Sequence, residues 1–155
     1  MRYFRMLQSR DTTNVVSIPA IKSDELHTGH GLVSQIELDE NSVFLNFYES
    51  PLPIISNKLK DAIMPLQSDV IGQPLALANM DTAFETLYWV LNLKEIACQM
   101  ENSAIILNRR SIGKQKLFKV MSGMRYYVIA DLDILECALR ASVSDMDFEE
   151  VIIHE

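Results

Sequence analysis

Two of the chain's three histidines stand in His27-Thr28-Gly29-His30, with Asp24 and Glu25 just upstream. On a helix this HxxH spacing puts both imidazoles on one face, where they can share a metal ion. Gly29 and Gly31 flank His30 and favour a loop instead, and no further ligand cluster follows. Asp131-Leu132-Asp133 has the DxD form that holds a divalent ion and a nucleotide-sugar diphosphate. That chemistry needs a nucleotide-binding α/β domain, and the chain has no Rossmann pattern. Asp131 as a helix N-cap and Asp133 in the first turn account for both carboxylates. Ser111-Ile112-Gly113-Lys114 lacks the first glycine of a phosphate-binding loop, and Gln115 replaces the required Ser or Thr. It reads as a hairpin turn between Leu107 and Leu117. Asp145, Asp147, Glu149 and Glu150 are dense enough for Ca²⁺, but the EF-hand glycine and ligand order are missing. No GxSxG nucleophile elbow and no Cys–His pair of catalytic spacing occurs. The residues therefore predict no catalytic group, no metal site and no cofactor. A small metal- or ligand-binding domain, or an enzyme using the His27/His30 loop, is the second reading.

Charge separates along the chain. The formal net charge is -7, and eight acids against the single base Arg140 place all of it in Asp131–Glu155. Immediately before, Asn102–Ala130 holds Arg109, Arg110, Lys114, Lys116, Lys119 and Arg125 and no acid. The two blocks can pair with each other, or the acidic block can face a basic partner and speed its docking. Asp145, Asp147, Glu149 and Glu150 are the candidate partner-binding residues, since they lie in or beside the final turn and strand. A strand alternates faces, so Glu149 and Glu150 point apart, and one of them has Arg125 or Lys119 as an expected ion-pair partner. An acidic chain is a poor nucleic-acid binder, because neutralising phosphates needs a basic surface.

The elements that must position these residues follow from periodicity. Arg2–Leu7, Val43–Tyr48, Thr86–Leu93, Glu95–Met100, Ala104–Leu107, Gln115–Val120, Arg125–Ala130 and Phe148–Ile153 read as strands, and Gln73–Asn79 is short and apolar. Asn14–Ile18 is β-branched, and Ser23–Gly31 is a loop. Ser56 can cap a helix to about Leu66, with Leu59, Ile63 and Leu66 on one stripe. Asp131 can cap a second helix to about Ala141, with a stripe of Leu132, Leu135 and Leu139 widened by Ile134 and Ala138. Trp89 is expected in the core. The order is not an alternating βαβ series, so the fold class expected is α+β: a mixed or antiparallel sheet with two main helices packed on it.

Composition bounds the class. With 155 residues, 48% hydrophobic and 23% charged, the chain is one domain's length and in the ordinary globular range. No apolar run approaches the ~20 residues of a membrane span, and Arg5 and Arg10 interrupt any signal-peptide core. A soluble cytoplasmic domain with no membrane partner is expected; homo-oligomer formation is left open. Cys98 and Cys137 sit in no CxxC pair and read as buried thiols acting as small hydrophobes.

Six segments carry a family likeness. They are Ile54-Ile55-Ser56-Asn57-Lys58-Leu59-Lys60-Asp61, Leu87-Tyr88-Trp89-Val90-Leu91-Asn92, Glu101-Asn102-Ser103, Leu117-Phe118-Lys119-Val120, Tyr127-Val128-Ile129-Ala130 leading into a helix, and Asp147-Phe148-Glu149-Glu150-Val151. In this order they resemble immunity family eleven of bacterial polymorphic and contact-dependent toxin systems, with immunity family forty-three as a near neighbour. The likeness covers about 53–153, and Met146-Asp147 stands where the family has a glycine before the final Phe. It implies a non-enzymatic protein that binds a cognate toxin domain in the cytoplasm of the producing cell and blocks its active site or an essential surface. It carries over no catalytic residues.

Overall fold

The computed structural model describes residues 1–22, 24–26 and 30–155. The fold is α+β. In chain order its strands are β1 (Tyr3–Gln8), β2 (Leu32–Gln35), β3 (Phe47–Tyr48), β4 (Ile54–Ser56), β5 (Ile71–Asn79), β6 (Phe84–Leu91), β7 (Cys98–Glu101), β8 (Ala104–Asn108), β9 (Leu117–Ser122), β10 (Arg125–Asp131), β11 (Met146–Glu150) and β12 (Ile152–His154). Its helices are α1 (Asn57–Ile63), α2 (Arg109–Ile112) and α3 (Leu132–Arg140).

The strands form three sheets rather than the single sheet expected. The first is antiparallel in the order β11-β1-β10-β9. The second, β12-β8-β7, contains one parallel pair, β12 with β8. The third, β2-β5-β6-β4-β3, is antiparallel except where β2 runs parallel to β5. The expected final strand 148–153 breaks at Val151, which is buried and whose N–H donates to Tyr3 O at 3.0 Å. β11 and β12 thereby belong to different sheets. On the opposite side, Ile96 N–H donates to Lys119 O at 2.8 Å, and Lys119 N–H donates to Lys94 O at 2.9 Å, joining the β7 approach to β9.

Alternation along the first sheet gives it two buried faces. Tyr3, Phe118, Val120 and Ile129 share a cluster with Ile105 and Leu107 of β8, Ile112 of α2 and Val151. Met6, Leu117, Val128 and Ala130 share another with Leu59 and Ile63 of α1, Ile134 and Ala138 of α3, and Phe47, Ile55 and Leu91 of the third sheet. The third sheet's other face buries Tyr48, Ile54, Leu75, Leu77, Tyr88 and Val90.

Local chemistry sets the helix ends. Ser56 Oγ accepts Leu59 N–H at 3.2 Å and starts α1. The helix stops short of the expected Leu66 because Pro65 cannot donate a backbone hydrogen bond. Asp131 accepts Ile134 N–H at 3.1 Å and starts α3. The buried stripe of α3 centres on Ile134 and Ala138, and Leu139, expected inside, is 57% exposed. The expected hairpin turn at Ser111–Lys114 is instead the end of α2, capped by Asn108 and closed by Gly113 at φ +61°, a conformation that favours glycine. Asn14–Ile18 contributes one bridge, Val15 to Val43, and the expected strand Val43–Tyr48 is reduced to β3. Leu45 is held by side chains instead of a ladder: its N–H donates to Tyr48 Oη and its carbonyl accepts from Tyr88 Oη. Among the described residues, no helix is long and apolar enough to cross a membrane.

Candidate functional site

β11 is an edge strand, and it carries most of the acids singled out from the sequence. Asp145, just before it, is half-buried: it accepts from Asn46 N–H at 2.9 Å and from Asn46 Nδ2 at 3.1 Å. That is a structural use of the carboxylate. Glu150 is exposed and receives Arg2 in a two-pronged pair, Nε at 2.7 Å and Nη2 at 3.0 Å. The hydrogen bonds from Arg2 hold its carboxyl below the usual range. Neither Arg125 nor Lys119 is the partner of Glu149 or Glu150; both cations lack an ion pair among the described residues. Asp147 and Glu149 are exposed, lie two positions apart on one face of β11, and have no ion pair among the described residues. Across the ladder Glu149 stands opposite Arg5, and Asp147 opposite Leu7. The four candidate acids thus divide into one structural residue, one ion-paired residue and two free carboxylates.

The basic and acidic blocks do meet elsewhere. Lys116 Nζ lies 3.2 Å from the buried Asp131 carboxylate and 2.5 Å from that of Asp133. Its hydrogen bond to Asp133 leads in raising the ammonium's pKa. Arg109 pairs with Glu155 at 3.2 Å. The carboxylates of Asp131 and Asp133 are therefore spent on a helix start and a lysine.

His27 lies outside the described residues. His30 is described, and its carbonyl accepts from Gln73 Nε2 at 2.9 Å. Cys98 and Cys137 are free and half-buried, less enclosed than expected; burial raises the Cys98 thiol's pKa. Trp89 is also only partly buried: its indole N–H donates to Asn57 Oδ1 at 2.9 Å, and Lys60 Nζ sits 5.0 Å from its ring centroid.

Two clefts were not foreseen. One of about 590 Å³ opens between the first and third sheets, with Gly72, Pro74, Leu91, Leu93, Tyr126 and the cation Lys119 among its lining. The Tyr126 hydroxyl is occupied, donating to Glu49 O, and burial pushes its pKa up to about 12. A smaller cleft gathers Arg5, Arg10 and Arg125. No local signal in the sequence joins residues so far apart in the chain. A scan of family models finds no match to this chain, and no curated protein matches it.

Proposed function

We propose that this chain is a non-enzymatic immunity protein, which binds a cognate bacterial toxin domain and neutralises it in the cytoplasm of the producing cell. The observation that carries the reading is the pair Asp147 and Glu149, exposed without ion-pair partners on one face of an edge strand. A basic toxin surface meets those carboxylates with complementary potential, which speeds encounter and fixes orientation. Asp145 and Glu150 are not in this interface set, because each is held by a neighbour within the fold. The ordered segments from Ile54 to Val151 that resemble immunity family eleven support the same reading.

The reading requires a secreted protein with a toxic C-terminal domain encoded beside this chain, and the test is co-expression with that domain; a neighbourhood without one contradicts the proposal. Growth rescue together with co-purification of a stoichiometric complex is the expected result. Rescue without a complex, or a complex that leaves toxicity intact, contradicts the proposal.

A further inference from the structure

Arg5, Arg10 and Arg125 line one cleft of about 270 Å³ with Glu49, Ser50 and Tyr127. Arg5 belongs to β1, Arg10 to the turn after it, and Arg125 to the first position of β10. The Arg5 guanidinium carbon lies 4.2 Å from the centre of the Tyr127 ring, so the aromatic face holds the cation in place. Its Nη2 is 3.7 Å from Glu49 Oε1, beyond hydrogen-bonding distance, and its buried Nε has no hydrogen-bond partner. Arg10 and Arg125 are exposed and have no carboxylate partner among the described residues. By contrast Arg2, Arg109 and Arg140 each have a carboxylate at hydrogen-bonding distance.

In a chain of net charge -7, three guanidiniums line one cleft whose lining holds a single carboxylate, Glu49. Guanidinium groups stay charged at any physiological pH, and their planar forks match oxyanions. Arg5 has Glu49 and, across the ladder, Glu149 beside it, whereas Arg10 and Arg125 have no carboxylate partner among the described residues and leave two positive charges, which a dianion balances and a single carboxylate does not. The volume falls below the ~300–1,000 Å³ of sites that enclose a whole drug-sized ligand, so it suits an anionic group rather than an entire molecule.

We infer that this cleft binds a phosphate group, as the free dianion or as the end of a monoester, through the Arg5, Arg10 and Arg125 guanidiniums. The site is separate from the toxin-binding reading and stands or falls without it.

The experiment is isothermal titration of the intact protein at low salt with inorganic phosphate, phenyl phosphate and acetate. Saturable binding at one site per chain is expected for phosphate. Arg10→Gln and Arg125→Gln each weaken it about tenfold, the loss of one charge-assisted hydrogen-bonding group. Both side chains lack partners, so thermal melts of the two variants match the wild type. Arg110→Gln, at an exposed arginine outside the cleft, leaves the affinity unchanged. Tighter binding of phenyl phosphate assigns the monoester, and equal binding assigns the free anion. Absence of saturation, acetate binding as tightly as phosphate, or equal weakening by Arg110→Gln overturns the inference.

Discussion

Asp145 grips Asn46 twice, at 2.9 Å through the backbone N–H and at 3.1 Å through the side-chain amide. Asn46 passes the constraint on, since its Oδ1 accepts from Ser56 Oγ at 2.6 Å while Ser56 caps α1 at Leu59 N–H. A carboxylate before β11 thus steadies the start of a helix capped by Ser56, 89 residues earlier in the chain. Asp145→Ala is expected to lower stability by roughly 1–3 kcal/mol in urea denaturation, the loss of two half-buried hydrogen bonds to a charged acceptor. Under the toxin-binding proposal, its association rate with the toxin domain should equal that of the wild type.

Asp147 and Glu149 behave in the opposite way. The double substitution Asp147→Ala, Glu149→Ala removes surface charge that no neighbour uses, so stability should stay within about 0.5 kcal/mol. Toxin association measured by stopped flow should slow, and the difference from wild type should shrink as salt rises. An on-rate indifferent to both changes would place the toxin interface elsewhere.

Asp131 has two tasks that substitutions can separate. It is fully buried, caps α3 and receives Lys116. Asp131→Asn keeps an acceptor for Ile134 N–H and loses the ion pair. Asp131→Ala loses both and should be the less stable of the two by roughly 0.5–2 kcal/mol, the value of a helix cap. Comparing their urea midpoints with wild type measures the cap directly.

Stability should fall in alkali. Burial raises the Tyr126 phenol from an unfolded value near 10.0 to about 12. The folded chain therefore holds that proton more tightly than the unfolded chain does. The resulting stability is complete below pH 10 and is lost as pH rises towards 12. Tyr88, also raised by burial, and Lys116, raised chiefly by Asp133, lose stability in the same direction. Urea midpoints between pH 9 and pH 11.5 should decline less steeply in Tyr126→Phe than in wild type.

Gly72 lies where the register of β5 against β6 shifts, and a Cβ there would come 2.7 Å from Val90 O. Gly72→Ala is expected to cost roughly 1–3 kcal/mol in thermal or urea unfolding, because backbone rather than a flexible side chain must move.

The helix starts were legible because a cap is local chemistry: Ser56 and Asp131 act on donors three residues ahead. The α+β class followed from element order for the same reason. Sheet membership did not, because strand partners are chosen over long range. Arg2 and Glu150 meet across 148 residues, a pairing that residue spacing could not favour over Arg125 or Lys119. The four acids were readable as a cluster but not as separate roles. Asp145 takes its role from Asn46 and Glu150 from Arg2, and neither partner adjoins its acid in sequence. Trp89 packs against the core but is less enclosed than expected, because both faces of β6 are partly covered and alternation alone does not say which is deeper.

The first sheet also sets the order of events during synthesis. β1 is made well before its two neighbours, β10, where Tyr3 faces Asp131, and β11, where Phe4 faces Glu150. Until those late strands leave the ribosome, β1 has both edges bare and no sheet to join. The third sheet, whose strands all precede Asn92, can assemble in that interval. During translation the Leu32–Leu91 sheet can therefore close before the sheet that holds β1, which leaves Tyr3–Gln8 as the segment a nascent-chain holdase would cover in the meantime.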